Sequence, residues 1–482
     1  MTNSDIIIIG GGAAGLMAAV GAGTAANGTS PSEGAKISEK PTGAGRPRVV
    51  VLEKMPRVGR KIMISGKGRC NFTNASPWSE FAPHIHPKAD FLKPAYYALP
   101  PEKLIEMFEA EGVPCVVERG DRAFPESHRS VDIVDALLEM ARRSGAEVIT
   151  GCTVEDIDRN ADGEFILTTS EGDFIAPKII ITTGGLSYPT TGSTGDGLHW
   201  AKEFGHRISP LFPSLTALVP KGYKIEGEKA AGAHSATLEE AGVLEKEEYK
   251  GLKGHIDRAT PLTDWGKSLE GVHLENVKIS LEVDGSTISE EFGDLDFTDG
   301  GIEGPIGFKV SRKAVWAIVN GAKVGVRIDL KPAVEAQQIE RRIDELWKEI
   351  ERDPRSYSVI RGRRVLKSYK DRFAVLLTKL LPKELIRGFV ASNSGLDSRS
   401  LGKALKGWKL PLSGFVGYER CVVTSGGVAL EEVGKKDLQS KVVPGLYFAG
   451  EVLNLDADTG GYNLHTAFCT GYLAGRSAAS KN

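Results

Sequence analysis

A glycine-rich turn near the start of the chain constrains the fold more than any other segment. The turn Gly10-Gly11-Gly12-Ala13-Ala14-Gly15 follows four isoleucines, Ile6 to Ile9, and precedes small residues interspersed with Leu16, Met17 and Val20. Four consecutive β-branched residues are typical of a strand buried on both faces, and the small residues predict a helix that packs closely on a sheet. A strand, a glycine turn and a helix in this order predict a dinucleotide-binding βα unit.

The glycines of the turn have separate expected roles. Gly10 permits a tight exit from the strand, Gly12 permits the backbone to approach a pyrophosphate, and Gly15 permits the helix to lie close to the sheet. The N–H groups of Ala13 and Ala14 at the positive end of the helix then face the phosphates. The competing interpretation is a purely structural βα turn, so the residues that follow decide between the two.

A second strand, Val49 to Glu53, ends in a carboxylate that can accept hydrogen bonds from a ribose 2′-hydroxyl. The interval from Gly15 to Glu53 exceeds the usual spacing of about 20 residues. Residues 24–48 account for the excess, because 13 of these 25 residues are Gly, Pro, Ser or Thr, and we predict a flexible surface insertion there. Glu53 also disfavours a 2′-phosphate. These residues alone do not choose between FAD and NAD.

The composition of the 482 residues excludes several classes of function. Lys plus Arg total 61 against 63 for Asp plus Glu, so no global charge attracts nucleic acid or anionic lipid, and neither partner is expected. Five scattered cysteines without CxxC spacing indicate neither a disulfide framework nor a metal site, and they favour the cytoplasm. The uncharged stretch from Ile6 to Ala26 lacks a preceding basic residue and is not expected to be a signal or membrane segment.

The hydrophobic pattern of the whole chain predicts an α/β protein with an inserted domain. Residues 1–207 and 413–482 are expected to form one Rossmann-like nucleotide-binding domain from both chain ends. Residues 208–332 and 390–412 predict an inserted β-rich, barrel-like substrate domain, and residues 333–389 predict a helical subdomain. The oligomeric state is not predicted.

Several sequence blocks at both ends of the chain resemble one family. The blocks are Ile8 to Gly15, Glu53-Lys54, Gly59-Arg60-Lys61, the SGKGRCNFTN block from Ser65 to Asn74, Thr183-Gly184-Gly185, Gly192 to Gly197, Phe297 to Pro305, and Thr424 to Gly475 with its Gly450-Glu451 pair. With these blocks the chain resembles the bacterial flavoproteins of the aminoacetone oxidase-like, BaiN type, members of the two-dinucleotide-binding-domain flavoproteins.

The resemblance implies FAD as the cofactor, with Glu53 on the adenosine ribose and Gly450-Glu451 near the pyrophosphate and ribityl chain. It also implies that a helix beginning near Gly460-Gly461-Tyr462-Asn463 points its N-terminus at the flavin, where a positive helix end stabilises the negative charge of the reduced ring. The predicted cofactor-binding set is Gly10, Gly12, Ala13, Ala14, Gly15, Glu53, Lys54, Gly59, Lys61, Ser65, Gly66, Gly68, Arg69, Cys70, Asn71, Thr183, Gly184, Gly450, Glu451, Gly460, Gly461, Tyr462 and Asn463.

The chain departs from the family pattern in two places. Asp299 and Glu303 stand in a loop where relatives usually carry a His-containing turn and a Ser, which would change what binds if the loop borders the substrate. The segment Asn454-Leu455-Asp456 replaces a commoner Asp-Val-Asp pattern and weakens any role for Asn454.

No catalytic residue is assigned from the sequence. Tyr462, His465 and Tyr188 are candidate proton donors or acceptors, chosen for their proximity in sequence to the expected flavin-facing glycines. Cys70 is either a redox thiol activated by neighbouring cations or, the favoured interpretation, a buried and inert cysteine.

Two basic clusters have a functional and a structural interpretation. Arg57, Arg60, Lys61, Lys67 and Arg69 form either a positive wall beside the flavin or an anionic substrate, or a solvated loop. The cluster of residues 361–364 is expected to be a solvated face, because no aromatic residue is interleaved with it.

The sequence therefore predicts an FAD-dependent oxidoreductase in which the flavin N5 exchanges a hydride with a small organic substrate. Transient NAD(P)H is a candidate reductant, and the family suggests enoyl or amine substrates. Oxidase and reductase activities both stay open. The alternatives are an RNA-acting flavoprotein and a flavin-binding redox sensor with little turnover.

Overall fold

A computed structural model of the chain describes residues 2–27, 47–225, 252–361 and 363–480. These residues form two units, each described separately below. The first comprises the described residues up to Ser214 and from Tyr418 onward, and the second those between Leu215 and Gly417. Most of the predicted flexible insertion of residues 24–48 lies outside the described residues.

The elements in the described ranges are as follows. The strands are β1 (Thr2–Asn3), β2 (Ile6–Ile9), β3 (Val49–Glu53), β4 (Thr73–Asn74), β5 (Ile85–His86), β6 (Cys115–Glu118), β7 (Arg122–Pro125), β8 (Glu147–Thr150), β9 (Val154–Arg159), β10 (Phe165–Thr169), β11 (Phe174–Ala176), β12 (Lys178–Ile181), β13 (Ile208–Ser214), β14 (Leu218–Pro220), β15 (His273–Val283), β16 (Ser286–Thr298), β17 (Gly301–Glu303), β18 (Val324–Asp329), β19 (Tyr357–Ile360), β20 (Arg363–Leu366), β21 (Trp408–Phe415), β22 (Val423–Val428), β23 (Leu446–Phe448) and β24 (Asp456–Ala457). The α-helices are α1 (Ala13–Asn27), α2 (Arg60–Ile64), α3 (Trp78–Phe81), α4 (Ala89–Ala98), α5 (Pro101–Ala110), α6 (Ser130–Arg143), α7 (Asp196–Glu203), α8 (Asp264–Leu269), α9 (Gly304–Val319), α10 (Ala336–Arg352), α11 (Tyr369–Leu380), α12 (Lys383–Ser392), α13 (Leu401–Lys406) and α14 (Tyr462–Ala479).

A five-stranded parallel sheet forms the centre of the first unit, in the order β23-β12-β2-β3-β8. The whole of β2 and the apolar part of β3 are buried, as continuous apolar runs in parallel strands require. Because the strands are parallel, their carboxyl ends meet at one edge of the sheet. That edge brings together Gly10 after β2, Glu53 at the end of β3, Thr182 after β12 and Ala449 after β23. The predicted α/β fold is confirmed.

Smaller sheets complete the first unit. One has the order β1-β11-β10-β9 and another the order β4-β7-β6, while β13 pairs with β22 and β24 pairs with β5. The last two pairings join strands from the two ends of the chain, and both are antiparallel.

Helices α1 and α14 pack against each other at backbone distance. A Cβ atom built on Gly475 would overlap the carbonyl oxygen of Ala18, and one on Gly471 would overlap that of Ala14. In the opposite direction, a Cβ on Gly21 would overlap the carbonyl oxygen of Tyr472. Glycine is therefore required at these positions, because a larger residue would force the two helices apart.

Helix α1 ends at Asn27, although residues 24–27 were predicted to belong to the flexible insertion. The reason is tertiary contact that sequence composition does not show. A Cβ on Gly23 would collide with Ser144 next to α6, and the Thr24 hydroxyl donates to the Gly21 carbonyl at 2.8 Å. Thr24 is therefore part of the helix and not of an insertion.

A closed six-stranded barrel with the order β14-β17-β16-β15-β18-β21 forms the centre of the second unit, as the barrel-like prediction expected. Helix α9 packs on the barrel through buried residues that include Ile306, Val310 and Ala314. Residues 390–412, expected to be β-rich, instead hold the end of α12, the whole of α13 and the start of β21.

The predicted helical segment of residues 333–389 is interrupted by strands β19 and β20, which pair as an antiparallel hairpin. The prediction of a helical subdomain did not foresee this hairpin. Val359, Ile360 and Val365 are β-branched and favour strands, and Arg361 adopts a left-handed conformation with φ 49° in the tight connection.

We expect Gly475→Ala to lower the free energy of unfolding of the apoprotein by about 1–3 kcal/mol, since the new methyl group must push α14 away from α1. Urea denaturation measures the change. Ser477→Ala on the same helix is the matched control and is expected to change stability by less than about 0.5 kcal/mol. Equal effects of the two substitutions would show that the close helix contact does not limit stability.

Candidate functional site

The carboxylate of Glu53 lies beside the glycine turn in the first unit. Its Oε2 accepts a hydrogen bond from the Gly11 N–H at 2.7 Å, and its Oε1 accepts one from the Met55 N–H at 2.8 Å. Burial raises the pKa of Glu53, and the two N–H donors with Lys54 and Arg60 partly oppose that shift. Gly11 was missing from the predicted set, although its place inside the turn was the available signal.

The three glycines of the fingerprint differ in their surroundings. A Cβ on Gly15 would overlap the Gly10 carbonyl oxygen, and a Cβ on Gly10 would lie 2.8 Å from the carbonyl oxygen of Thr182. By contrast, a Cβ on Gly12 would meet no heavy atom within 4 Å. Gly10 and Gly15 are thus needed for packing, while Gly12 borders open space at the N-terminus of α1. This arrangement matches the expected pyrophosphate position.

The residues after β12 supply further polar groups at the same sheet edge. The Thr182 hydroxyl donates to the carbonyls of Ile9 at 2.8 Å and Gly10 at 2.9 Å, which fixes the start of the turn. The neighbouring Thr183 hydroxyl oxygen is buried and has no hydrogen-bond partner among the described residues. Gly184 follows in a left-handed conformation with φ 78°. A buried hydroxyl without a protein partner at this edge of the sheet would find one in a bound ligand.

Lys54 lies next to Glu53 but is engaged by the N-terminal end of α7. Its Nζ donates to Asp196 Oδ2 at 2.6 Å and also to the Thr194 hydroxyl. The predicted cofactor role of Lys54 therefore competes with an ion pair inside the protein.

Lys61 and Glu451 form a half-buried ion pair that joins the two chain ends. Lys61 Nζ lies 2.9 Å from Glu451 Oε2 and donates to Ser187 Oγ at 2.8 Å. Glu451 Oε1 accepts hydrogen bonds from the Ser187 hydroxyl at 2.6 Å and the Thr424 N–H at 2.8 Å. Burial alone would raise the pKa of Glu451, but Lys61 and the two donors outweigh it and lower that pKa. The predicted residues Lys61 and Glu451 are thus brought together, whereas Ser187 and Thr424 were missed.

The N-terminus of α14 meets the SGKGRCNFTN block. Gly461 precedes the helix in a left-handed conformation with φ 96°, and a Cβ there would overlap the carbonyl oxygen of Thr73. The same Cβ would lie 2.9 Å from Asn71 Oδ1, a buried oxygen without a hydrogen-bond partner in the described structure. Gly460, also at positive φ, precedes it. The block and the glycine pair, predicted separately, therefore form one surface.

Gly450, in the turn after β23, is also held tightly. Its N–H donates to the Thr470 hydroxyl at 3.0 Å, and a Cβ on it would lie 2.8 Å from the Cβ of Ala14. Gly450 thus brings the strand end against the start of α1, and Ala14 is used in packing.

At several other predicted cofactor residues the side chain already bonds to the protein, or protein atoms already fill the space beside the glycine. The Asn463 amide donates to the carbonyls of Ala457 and Asp458, and its oxygen accepts from the Ala457 N–H, so only its main chain is available to a ligand. Gly59 packs against Val134 of α6. The Ser65 hydroxyl donates to the Ile62 carbonyl at 2.6 Å.

The basic loop has an unusual backbone and is largely neutralised. Gly66, Lys67, Gly68 and Cys70 all have positive φ, and a Cβ on Gly68 would meet open space. Arg69 stacks over Phe124 at 4.4 Å and pairs with Glu118. Because Arg57 pairs with Asp135 and Lys61 with Glu451 as well, three of the five cations have acidic partners, and a continuous positive wall is not formed.

His465 and Cys70 lack the properties of acid–base or redox groups. His465 is fully buried, its Nδ1 lies 2.9 Å from Thr73 Oγ1, and burial lowers its pKa to about 3, so its ring is neutral at pH 7. Cys70 is also fully buried, and burial raises its pKa to about 12. The inert interpretation of Cys70 is favoured, because the thiolate is absent at neutral pH.

Tyr462 belongs to an aromatic and acidic cluster that sequence analysis missed. Its ring stacks on His84 at 4.4 Å, and burial raises its pKa to about 12. Asp458 lies 2.8 Å from His84 Nδ1 and 3.3 Å from His86 Nε2. Burial would raise the pKa of Asp458, but the two histidines lower it overall. The His-x-His spacing of His84 and His86 was the available signal in the sequence.

Tyr188, the remaining candidate, is half-buried in a left-handed conformation with φ 50°, and its N–H donates to the Tyr418 carbonyl at 2.9 Å. A non-glycine residue at positive φ indicates local strain that surrounding contacts maintain. In the described ranges, no helix combines the length and apolar character needed to cross a membrane.

Comparison with known proteins matches residues 4–477 to the family described as the HI0933-like protein Rossmann domain. The chain belongs to this family. It is an FAD-dependent oxidoreductase, as predicted, and its cofactor is FAD. The structure fits that cofactor, because Gly12 borders open space and the buried oxygens of Thr183 and Asn71 lack partners.

Relatives of this HI0933-like protein have different activities in their names. It is 27% identical to the 3-dehydro-bile acid delta(4,6)-reductase of Clostridium scindens, over 98% of each chain. It is 26% identical to the ribosomal RNA dihydrouridine synthases of Haemophilus influenzae, over 98% of each chain, and of Escherichia coli, over 98% of this chain and 97% of that protein.

Among solved structures, the chain is similar to a flavocytochrome c3 fumarate reductase, with a TM-score of 0.41 and 16% identity over 99% of this chain and 78% of that one. It is also similar to the 3-ketosteroid-delta4-(5alpha)-dehydrogenase of Rhodococcus jostii, with a TM-score of 0.43 and 12% identity over 100% and 97% of the two chains.

We expect Glu53→Ala to raise the dissociation constant for FAD about 10- to 100-fold, because the ribose hydroxyls of FAD would lose two hydrogen bonds to a charged acceptor. Fluorescence titration of apoprotein with FAD measures the constant. Glu147→Ala removes an exposed carboxylate from the neighbouring strand of the same sheet and is the control. An unchanged constant in Glu53→Ala would refute the ribose contact.

We expect Glu451→Gln to lower the stability of the apoprotein at pH 7 by about 1–3 kcal/mol, since Lys61 loses its half-buried partner. The folded pKa of Glu451 lies below its ordinary value of 4.5, so the ion pair stabilises the fold above that value and is lost as the pH falls through the folded pKa. Urea denaturation should therefore show a difference that shrinks below about pH 4. Glu203→Gln, at an exposed position, should show no such dependence.

Proposed function

We propose that the protein is a reductase that adds a hydride and a proton across a carbon–carbon double bond conjugated to a carbonyl group. The substrate is a small organic molecule, and NADH or NADPH is the transient reductant. The reaction balances, because the nicotinamide loses a hydride and the double bond gains that hydride and a solvent-derived proton. Bound FAD would supply hydride exchange at its N5 atom.

The activities named for the relatives support this reaction type. One relative is named for reducing a 3-dehydro-bile acid at delta(4,6), and two are named for making dihydrouridine. We interpret both as the saturation of a carbon–carbon bond in conjugation with a carbonyl. The shared step makes a reductase a better proposal than an oxidase or a sensor.

The observation that carries the proposal is the single binding surface assembled from both chain ends. Gly12 with the N-terminus of α1 would hold the pyrophosphate, and Glu53 would accept from the ribose hydroxyls. The hydroxyl of Thr183 and the amide oxygen of Asn71 would gain their missing partners.

The positive end of α14 at Gly461 would stabilise negative charge on the flavin ring.

The polar residues of this unit favour hydride chemistry over general acid–base catalysis by buried groups. His465 stays neutral and Cys70 stays a thiol at pH 7, so neither donates or accepts a proton in the reaction. Tyr462 keeps its proton and packs against His84, which suits positioning of the helix start. We therefore propose that Lys61 and Glu451 act through fixed charge beside the cofactor, and that water supplies the proton.

The reductant and the compartment are parts of the same proposal. A tightly held NAD(P)H domain is not expected, because the glycine order of residues 192–197 does not repeat the fingerprint of residues 10–15. The five cysteines are unpaired, as suits a reducing cytoplasm.

We expect anaerobic NADPH or NADH to bleach the flavin absorbance near ~450 nm, and a 3-oxo-4-ene steroid to restore it. The matching saturated 3-oxo steroid is the control and should leave the band bleached. Stopped-flow absorbance follows both steps. If neither nucleotide bleaches the band, the reductant is wrong, and if air reoxidises the protein with peroxide faster than any enone does, the protein is an oxidase.

A further inference from the structure

Asp458 and two histidines form a cluster just before α14 that the proposed reaction does not use. The Asp458 carboxylate lies 2.8 Å from His84 Nδ1 and 3.3 Å from His86 Nε2. Burial would raise the pKa of Asp458, but the two histidines lower it overall, so the carboxylate is ionised at pH 7. Because an ionised carboxylate only accepts hydrogen bonds, each histidine donates from the nitrogen that faces Asp458. One carboxylate is thus clamped between two rings.

Main-chain contacts join the same residues. Strand β5 pairs with β24, and the Asp458 N–H donates to the His84 carbonyl at 3.0 Å. The amide of Asn463, in the first turn of α14, donates to the carbonyls of Ala457 at 2.8 Å and Asp458 at 3.2 Å. Asp458 is therefore bonded both to the segment around His84 and to the beginning of α14.

Two glycines separate this cluster from the helix. Gly460 and Gly461 have φ 128° and 96°, and glycine imposes little conformational restraint of its own. Neighbouring groups must therefore fix the direction in which α14 begins. Beyond the glycines, the ring of Tyr462 stacks on His84 at 4.4 Å. His84 thus contacts the residues on both sides of the glycine pair, Asp458 before it and Tyr462 after it.

We propose that Asp458, clamped by His84 and His86, is a positioning residue that aims the N-terminus of α14 at the flavin and so stabilises reduced FAD. The inference rests on the proposed placement of the flavin at Gly461, and it does not depend on the enone substrate. A positive helix end favours the negative charge of the reduced ring, whereas a nearby carboxylate opposes it. Loss of the positioning and loss of the charge therefore change the reduction potential in opposite directions.

The test measures the reduction potential of FAD bound to the full-length protein, by anaerobic equilibration with a reference dye at pH 7. We expect Asp458→Ala to weaken the binding of reduced FAD relative to oxidised FAD about tenfold, which lowers the potential by ~30 mV for a two-electron couple. Asp458→Asn keeps an oxygen that accepts from one histidine, so it should lower the potential by a smaller amount. The asparagine variant decides the question if the alanine variant retains no FAD.

The matched control is Asp162→Ala, which removes an exposed carboxylate from the first unit and should leave the potential unchanged. An unchanged potential in the Asp458 variants would show that the cluster has only a structural role, and a raised potential would show that only its charge acts. Either result overturns the proposal. A potential equal to that of free FAD in the unmodified protein would instead refute the placement of the flavin at Gly461. None of these measurements uses a substrate, so a failure of the enone reaction is detected separately.

Discussion

The close contact between α1 and α14 is the interaction on which the first unit depends. It brings the helix of the glycine turn against the last helix through Gly471 and Gly475, with carbonyl oxygens of the partner where side chains would otherwise lie. Any residue with a side chain at these positions would hold the two helix backbones further apart. As a result the N-termini of both helices belong to one unit, one beside Gly12 and the other beside Gly461. The packing of α1 on α14 therefore fixes both helix N-termini in one unit, where each would stabilise negative charge on a bound group.

The strands and the glycine turn were predictable because their signals are local. Ile6 to Ile9 and Val49 to Glu53 are runs whose burial follows from their own composition, and the structure contains both strands. The barrel of the second unit was also expected in outline. The hairpin of β19 and β20 was missed, since Val359 and Ile360 lie between helices and tertiary context decides short apolar runs. The end of α1 was misplaced for the same reason, because Ser144 holds it from a distant part of the chain.

The candidate site was predictable in its glycines and less so in its side chains. Motif spacing pointed to Glu53, Lys61 and Glu451, but it could not show that the last two neutralise each other. Burial decides the protonation state of His465. Its position in the sequence suggested a proton donor, but its surroundings keep the ring neutral. The pairing of His84 with Asp458 could not be foreseen, because the two residues are 374 positions apart in the sequence. Proximity in sequence is a poor guide to reactivity when the partners come from opposite chain ends.

The partnership of α1 with α14 has a consequence for the order in which the protein matures. Strands β2 and β3 of the central sheet can pair early in synthesis. The surface around Gly12, by contrast, lacks Gly450 and Gly461 until α14 has also been synthesised. Contacts of such long sequence separation carry a large loop-closure entropy and slow folding. A site that needs both Gly12 and Gly461 is therefore complete only after both segments have been synthesised and α1 has packed on α14.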